Sequence, residues 1–255
     1  MVSDRIPSKT LSGIEQDGLV LPEKTLFKNE FIGATKLKNS TLSYPIFDNC
    51  LLENCEFEKT DFSNSRFFNT TTVVQCTFSN VDFRATGLSD SRFENCTFLK
   101  CDFRQTALVD CHFSNCTFSQ CKIIDNSLNA KKMTHVKFAG KLQEVSFISD
   151  QPNTPLLVDF ELCKLDYVTF QNCDLESIVP PTDAQHIFFK DVSARAKKAL
   201  DHLSSQPDSP INKLLKRRLQ KLTTQRGALF NIKNLESYEG LEFSSLFISH
   251  LKGSE

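Results

Sequence analysis

The chain has 255 residues, with 30 Lys and Arg against 31 Asp and Glu and a hydrophobic fraction of 40%. That length carries one sizeable core with an appendage, and the near-neutral balance excludes a general polyanionic or polycationic character. No basic start followed by an apolar core occurs in the first 25 residues, and no apolar run is long enough to span a bilayer, so the expected location is cytoplasmic.

Residues 1–25 are polar and contain Ser and Thr, which predicts an N-terminal tail and is compatible with a type III export signal. From Phe27 a large apolar residue recurs every five positions: Ile32, Leu37, Leu42, Phe47, Leu52, Phe57, Phe62 and Phe67, with Thr72 as a weak member. One extra residue, placed near Val73 and Val74 and read as a bulge, shifts the series. It resumes at Phe78 and continues through Phe83, Leu88, Phe93, Phe98, Phe103, Leu108, Phe113, Phe118, Ile123, Leu128, Met133 and Phe138. Neither the 3.6-residue helical period nor the alternation of a strand gives this spacing. Two residues before each centre stands a small residue, and all ten cysteines take this slot, from Cys50 and Cys55 through Cys163 and Cys173.

Units such as ENCEF, EKTDF, LKCDF and SNCTF thus turn one small and one large side chain inward and expose three others, and in this the chain resembles the pentapeptide-repeat family. The resemblance implies a β-solenoid, a right-handed quadrilateral β-helix in which four units make one coil, over about residues 26–176. Successive coils would lie about 4.8 Å apart. Residue type supports the stacking: Phe78, Phe98, Phe118 and Phe138 would form one column, Leu88, Leu108 and Leu128 a second, and Phe83, Phe103 and Ile123 a third. The pattern falters around Gly140 and the SDQPNTPLL stretch, then returns as Phe160, Leu165, Phe170 and Leu175 for one more coil.

Residues 177–255 are expected to form a helical C-terminal segment. After Pro180 and Pro181, Thr182 and Gln185 suggest a capping box opening a helix through about Leu203, with Phe188, Val192, Ala196, Ala199 and Leu203 on its apolar face. Ser209 and Pro210 open a second helix that buries Ile211, Leu215, Leu219 and Leu222. Its basic residues Lys213, Lys216, Arg217, Arg218 and Lys221 are candidate contacts for an anionic partner, including peripheral contact with an anionic membrane surface, or a solvated helix face. A third, weaker helix is expected near Leu241 to Leu251.

No catalytic, metal-binding or cofactor-binding residues emerge. The cysteines follow the repeat and include no C-x-x-C, so they read as core thiols of a reducing compartment. The five histidines are scattered, and no phosphate-cradling glycine loop occurs. The expected function is a non-catalytic, protein-binding scaffold. Some relatives imitate duplex DNA toward gyrase, which requires a strongly acidic rod, but between Phe47 and Phe138 eleven acidic residues meet ten basic ones. A β-helix followed by helices also looks like the front of HECT-like ubiquitin-ligase effectors. With no cysteine after Cys173, this chain would supply only the substrate-recognition part, and nucleic acid is disfavoured as a partner.

Overall fold

The computed structural model describes residues 11–42, 44–207 and 209–253. Many of the five-residue units place their centre in a three-residue strand, others turn tightly beside a single bridge, and in most a residue with positive φ follows two positions after the centre. Asn29, Asn39, Asn49, Asn54, Asn64, Asn80, Asn95 and Asn115 all sit there with φ near +50°. Asparagine reaches this left-handed region at lower cost than most residues, and repeating it every five residues turns the chain through the corners of a square. Parallel pairing then stacks the squares: Phe78 registers with Phe57 and Phe98, and Phe98 with Phe118. The result is a right-handed quadrilateral solenoid of about eight coils.

Four inward columns fill it. The first runs Leu37, Phe57, Phe78, Phe98, Phe118 and Phe138, and rings within it stack with centroids 4.6–5.2 Å apart. The second passes through Phe62, Phe83 and Phe103, the third through Phe27, Phe47, Phe67 and Leu88, and the fourth through Ile32, Leu52, Val73, Phe93 and Phe113. Rings of neighbouring columns meet edge to face, as Phe98 does with Phe103 at 5.4 Å and 72°. Burying each such ring contributes about 1.5–3 kcal/mol, so stability is distributed along the rod.

The small slot has a second role besides filling space. Its hydroxyls and thiols donate to the carbonyls of inward centres on the coil below: Thr86 Oγ1 to Phe62 O at 2.9 Å, Cys96 Sγ to Val73 O at 3.4 Å, and Cys116 Sγ to Phe93 O at 3.3 Å. Thr, Ser and Cys are the residues small enough for the corner that also carry a donor.

Four expectations need correction. The rod starts before residue 26: Glu15–Asp17 pairs with Lys36–Lys38, and Gly13, Gly18 and Leu21 donate to Gly33, Lys38 and Thr41. Leu11 and Leu21 hold inward positions, but polar Gln16 between them disguises the period. Residues 1–10 of the expected tail lie outside the described residues.

The extra residue is not at Val73 and Val74. Asn69 and Thr70 both take positive φ and absorb it, so Thr71 fills the small slot and Val73, rather than Thr72, is the core member. Nor does the core lapse after Phe138, for Leu142 and Phe147 continue it within the long strand Met133–Ile148. Gly140, with φ of +111°, marks the shortened step between Phe138 and Leu142.

Finally, Thr182 and Gln185 do not open a helix. His186–Phe189 is instead a strand paired antiparallel with Ala228–Asn231, and Thr182 bonds the Glu161 carbonyl of the rod. The first helix, α1, spans Val192–Ser204 and buries Val192, Ala196, Ala199 and Leu203, while Phe188 packs on the rod. Helix α2 spans Pro210–Leu222, with Ser209 Oγ accepting from Asn212 N at 3.1 Å. Helix α3, Ile232–Glu239, was not foreseen, and α4 occupies Leu241–Lys252. The hairpin and helices share a core of their own around Leu219 and Phe247. They cover part of the last coil, joined to it by the Leu175 N to Arg226 O bond, and so shield some of the unpaired groups at that end of the stack.

Candidate binding cleft at the end of the rod

Where the helical cap meets the last coil, a cleft of about 590 Å³ remains open. The coil supplies its floor through Val168 and Phe170, which are only partly buried because no further coil covers them. The cap supplies Leu235 and Tyr238 from α3 and Arg218 and Lys221 from α2. Tyr167 stands between the two parts, its ring edge-on to Tyr238 at 5.3 Å and its hydroxyl 3.3 Å from Ser237 Oγ.

The walls are fixed by polar anchors. Asn231 Nδ2 donates to the Leu165 carbonyl at 2.5 Å, and Leu175 N donates to Arg226 O at 2.7 Å. The Arg226 guanidinium reaches Asp174 at 3.2 Å and Glu176 at 2.9 Å. Buried His186 is a strut: its Nδ1 lies 2.8 Å from Asp183 Oδ2, and its Nε2 accepts from Leu165 N at 3.1 Å. Both ring nitrogens are thereby engaged in the joint.

Of the five basic residues singled out in the sequence, Arg218 and Lys221 line the cleft. Lys213 and Arg217 are exposed on α2 beside Leu214, and Lys216 is half-buried. Arg218 Nε is 4.0 Å from Glu239 Oε1. Tyr167, Phe170 and Tyr238 escaped the sequence reading as site residues, because their exposure depends on where the solenoid stops and how the cap docks.

Thiol chemistry has little foothold. Burial pushes the Cys163 thiol up to about 12 and that of Cys173, on the cleft, to about 11. Among the described residues, no three His, Cys, Asp or Glu side chains are placed to hold a metal ion. No helix among those residues is long and apolar enough to cross a membrane.

Comparison with known proteins bears on the rod. The trypsin-treated form of QnrB1, a plasmid-mediated fluoroquinolone resistance protein, superposes with a TM-score of 0.57 at 17% identity, over 66% of this chain and 82% of that one. Full-length QnrB1 gives 0.38 at 14% identity over 61% and 93%. HetL, a pentapeptide-repeat protein involved in heterocyst differentiation regulation in Nostoc sp. strain PCC 7120, gives 0.23 at 12% identity over 65% and 91%. The first likeness establishes the shared solenoid fold. No curated protein matches the sequence. Residues 35–71 match the family model for pentapeptide repeats (8 copies), and residues 72–147 match the pentapeptide repeat region model. With its five-residue period, square coils and matched segments in agreement, residues 35–147 of the chain are a pentapeptide-repeat region.

Proposed function

We propose that the protein is a non-catalytic scaffold that binds a partner protein, and that the cleft between the last coil and the helical cap takes an acidic segment of that partner bearing apolar side chains. The observation that carries this reading is the pairing of an uncovered apolar floor, Val168 and Phe170, with Arg218 and Lys221 at the rim. Apolar side chains would be desolvated on the floor while carboxylates meet the two cations, the division of labour usual in protein interfaces. Differential capture tests it: wild-type protein retains a partner that Tyr238→Ala and Arg218→Glu lose by tenfold or more, with binding weakened by salt. Equal retention by both variants would rule the cleft out.

The DNA-mimic alternative sits poorly with the local charges. Asp82 and Asp102 are paired with Arg84 and Arg104 at 2.6 Å, and Glu56 and Glu58 with Lys36 and Lys38 at 2.9 and 3.1 Å. The faces therefore alternate in sign where a duplex is uniformly negative. A role as an exported effector, or as the recognition part of a larger ligase-like assembly, is compatible with a binding scaffold.

A further inference from the structure

Phe170 is the last member of the third column, reached through Leu128 and Phe147, and its ring stacks on that of Phe147 at 5.5 Å. Its strand, Thr169–Gln171, pairs with residues 146–148 and, among the described residues, with no strand on the other side. Lower in the same column the main chain shows which groups the next coil takes up. Ser65 O accepts from Gly87 N at 2.9 Å, Phe67 N donates to Gly87 O at 2.8 Å, and Asn49 N donates to Phe68 O at 3.2 Å. Val168, Phe170 and Asn172 hold those places on the last coil. The Val168 and Phe170 carbonyls and the Phe170 and Asn172 N–H groups therefore point out of the stack, and no partner reaches them among the described residues.

The cap satisfies this edge on both sides of the stretch and passes over it. Asn231 Nδ2 donates to Leu165 O, His186 Nε2 accepts from Leu165 N, the Asn234 side-chain amide accepts from Tyr167 N, and Arg226 O accepts from Leu175 N. Val168, Thr169, Phe170 and Asn172 instead line the open cleft. The same cleft is lined by Arg218, whose Nε is shielded from solvent yet hydrogen-bonded to no group among the described residues, with Glu239 Oε1 4.0 Å away.

We propose that the partner's acidic segment binds here as an added β-strand, parallel to Thr169–Gln171, and completes one more rung of the solenoid. The proposal rests on the reading of the cleft as a protein-binding site and adds how the partner is held. Two N–H groups of the strand donate to Val168 O and Phe170 O, and two of its carbonyls accept from Phe170 N and Asn172 N. Parallel polarity follows from the even spacing and slant of an edge built by a parallel ladder. Main-chain pairing at such an edge supplies affinity, and the side chains beneath alternate residues supply selection. Two apolar side chains, two residues apart, lie over Val168 and Phe170, as each coil of the rod sets its small and large residues over those below. Carboxylates on either side of that apolar pair meet Arg218 and Lys221.

Amide exchange combined with a synthetic strand tests the pairing on the full chain. In the free protein the Phe170 and Asn172 amides should exchange rapidly, whereas that of Phe67, paired at the same place in the column, should be protected. The probe is a blocked seven-residue peptide with valine third, phenylalanine fifth, threonine fourth and sixth, and aspartate elsewhere. It should bind, slow exchange at Phe170 and Asn172 at least tenfold, and lose at least tenfold in affinity to the Arg218→Glu variant. N-methylation at the two threonines, whose N–H groups face the edge, should weaken binding at least tenfold through the two lost bonds. N-methylation at the phenylalanine, whose N–H faces away, should leave it nearly unchanged. If the threonine-methylated and unmodified peptides bind alike, the cleft stands as a binding site and strand addition falls. A loss on phenylalanine methylation alone would reverse the polarity and overturn the parallel rung. A peptide that does not bind at all would overturn strand addition, while partner capture judges the cleft separately. Protection of the two amides in the free protein, whether constant or growing with its concentration, would show the edge filled by this chain or a second copy and would overturn the proposal as well.

Discussion

Replacing Phe98 with alanine lowers the free energy of unfolding by about 3–5 kcal/mol, the usual cost of deleting a fully buried ring. Phe98 has no solvent exposure, stacks on Phe78 at 5.0 Å and on Phe118 at 4.6 Å, and meets Phe83, Phe103 and Phe113 edge to face. Backbone pairing holds the coils about 4.8 Å apart, so neighbouring rings cannot collapse into the space and a cavity persists. Because each coil leans on its two neighbours, the loss falls on two interfaces at once. Urea unfolding followed by far-ultraviolet circular dichroism reads the change. Val20→Ala, at a side chain 71% exposed, is the control and should cost no more than about 0.5 kcal/mol. Equal effects of the two substitutions would contradict the columnar core.

Gly227→Ala is expected to loosen the joint between cap and rod and to destabilise the protein by about 1–3 kcal/mol. Gly227 has φ of +81°, and a Cβ there would lie 2.9 Å from Leu175 Cβ and 3.1 Å from the Leu175 carbonyl carbon. One clash is with main chain and cannot be relieved by a rotamer change. The neighbouring Leu175 N to Arg226 O bond is one of the anchors that hold the cleft shut at its back. Gly253 has nearly the same φ, +82°, with nothing within 4 Å of its would-be Cβ. Gly253→Ala therefore carries the conformational cost alone, and the difference between the two variants isolates the contact. Limited proteolysis should cut the cap of Gly227→Ala sooner than that of Gly253→Ala, and identical cleavage rates would show that the contact is not needed.

The rod was legible because its period is a direct image of its geometry: centres, small slots and the grouping of residue type by column all reappear as stacked side chains. Misreadings arose where a polar residue took a centre, as at Gln16, or where the count slipped by one. At Asn69 and Thr70 the signal lay in the corner rather than in the core, since asparagine two residues after a centre marks a left-handed turn. Following the asparagines as well as the phenylalanines would have placed the insertion correctly.

The C-terminal part was less legible. Ser209 and Pro210 announce α2 locally, but the pairing of His186–Phe189 with Ala228–Asn231 joins segments separated by two helices, and only packing decides it. The cleft inherits that difficulty. Arg218 and Lys221 stood out as basic residues, while Phe170 and Tyr238 acquire meaning only after the cap is seated.

Thiol labelling of the native protein, counted by mass spectrometry, tests the central claim that one small and one large side chain of every unit point into the axis. Nine cysteines are buried and only Cys173, beside the cleft, is partly exposed. The folded protein should accept at most one label, slowly and at Cys173, because its thiol is pushed up to about 11 by burial. After full unfolding it should accept ten. Rapid labelling of several cysteines in the folded state, above all within the column Cys76, Cys96 and Cys116, would contradict the account.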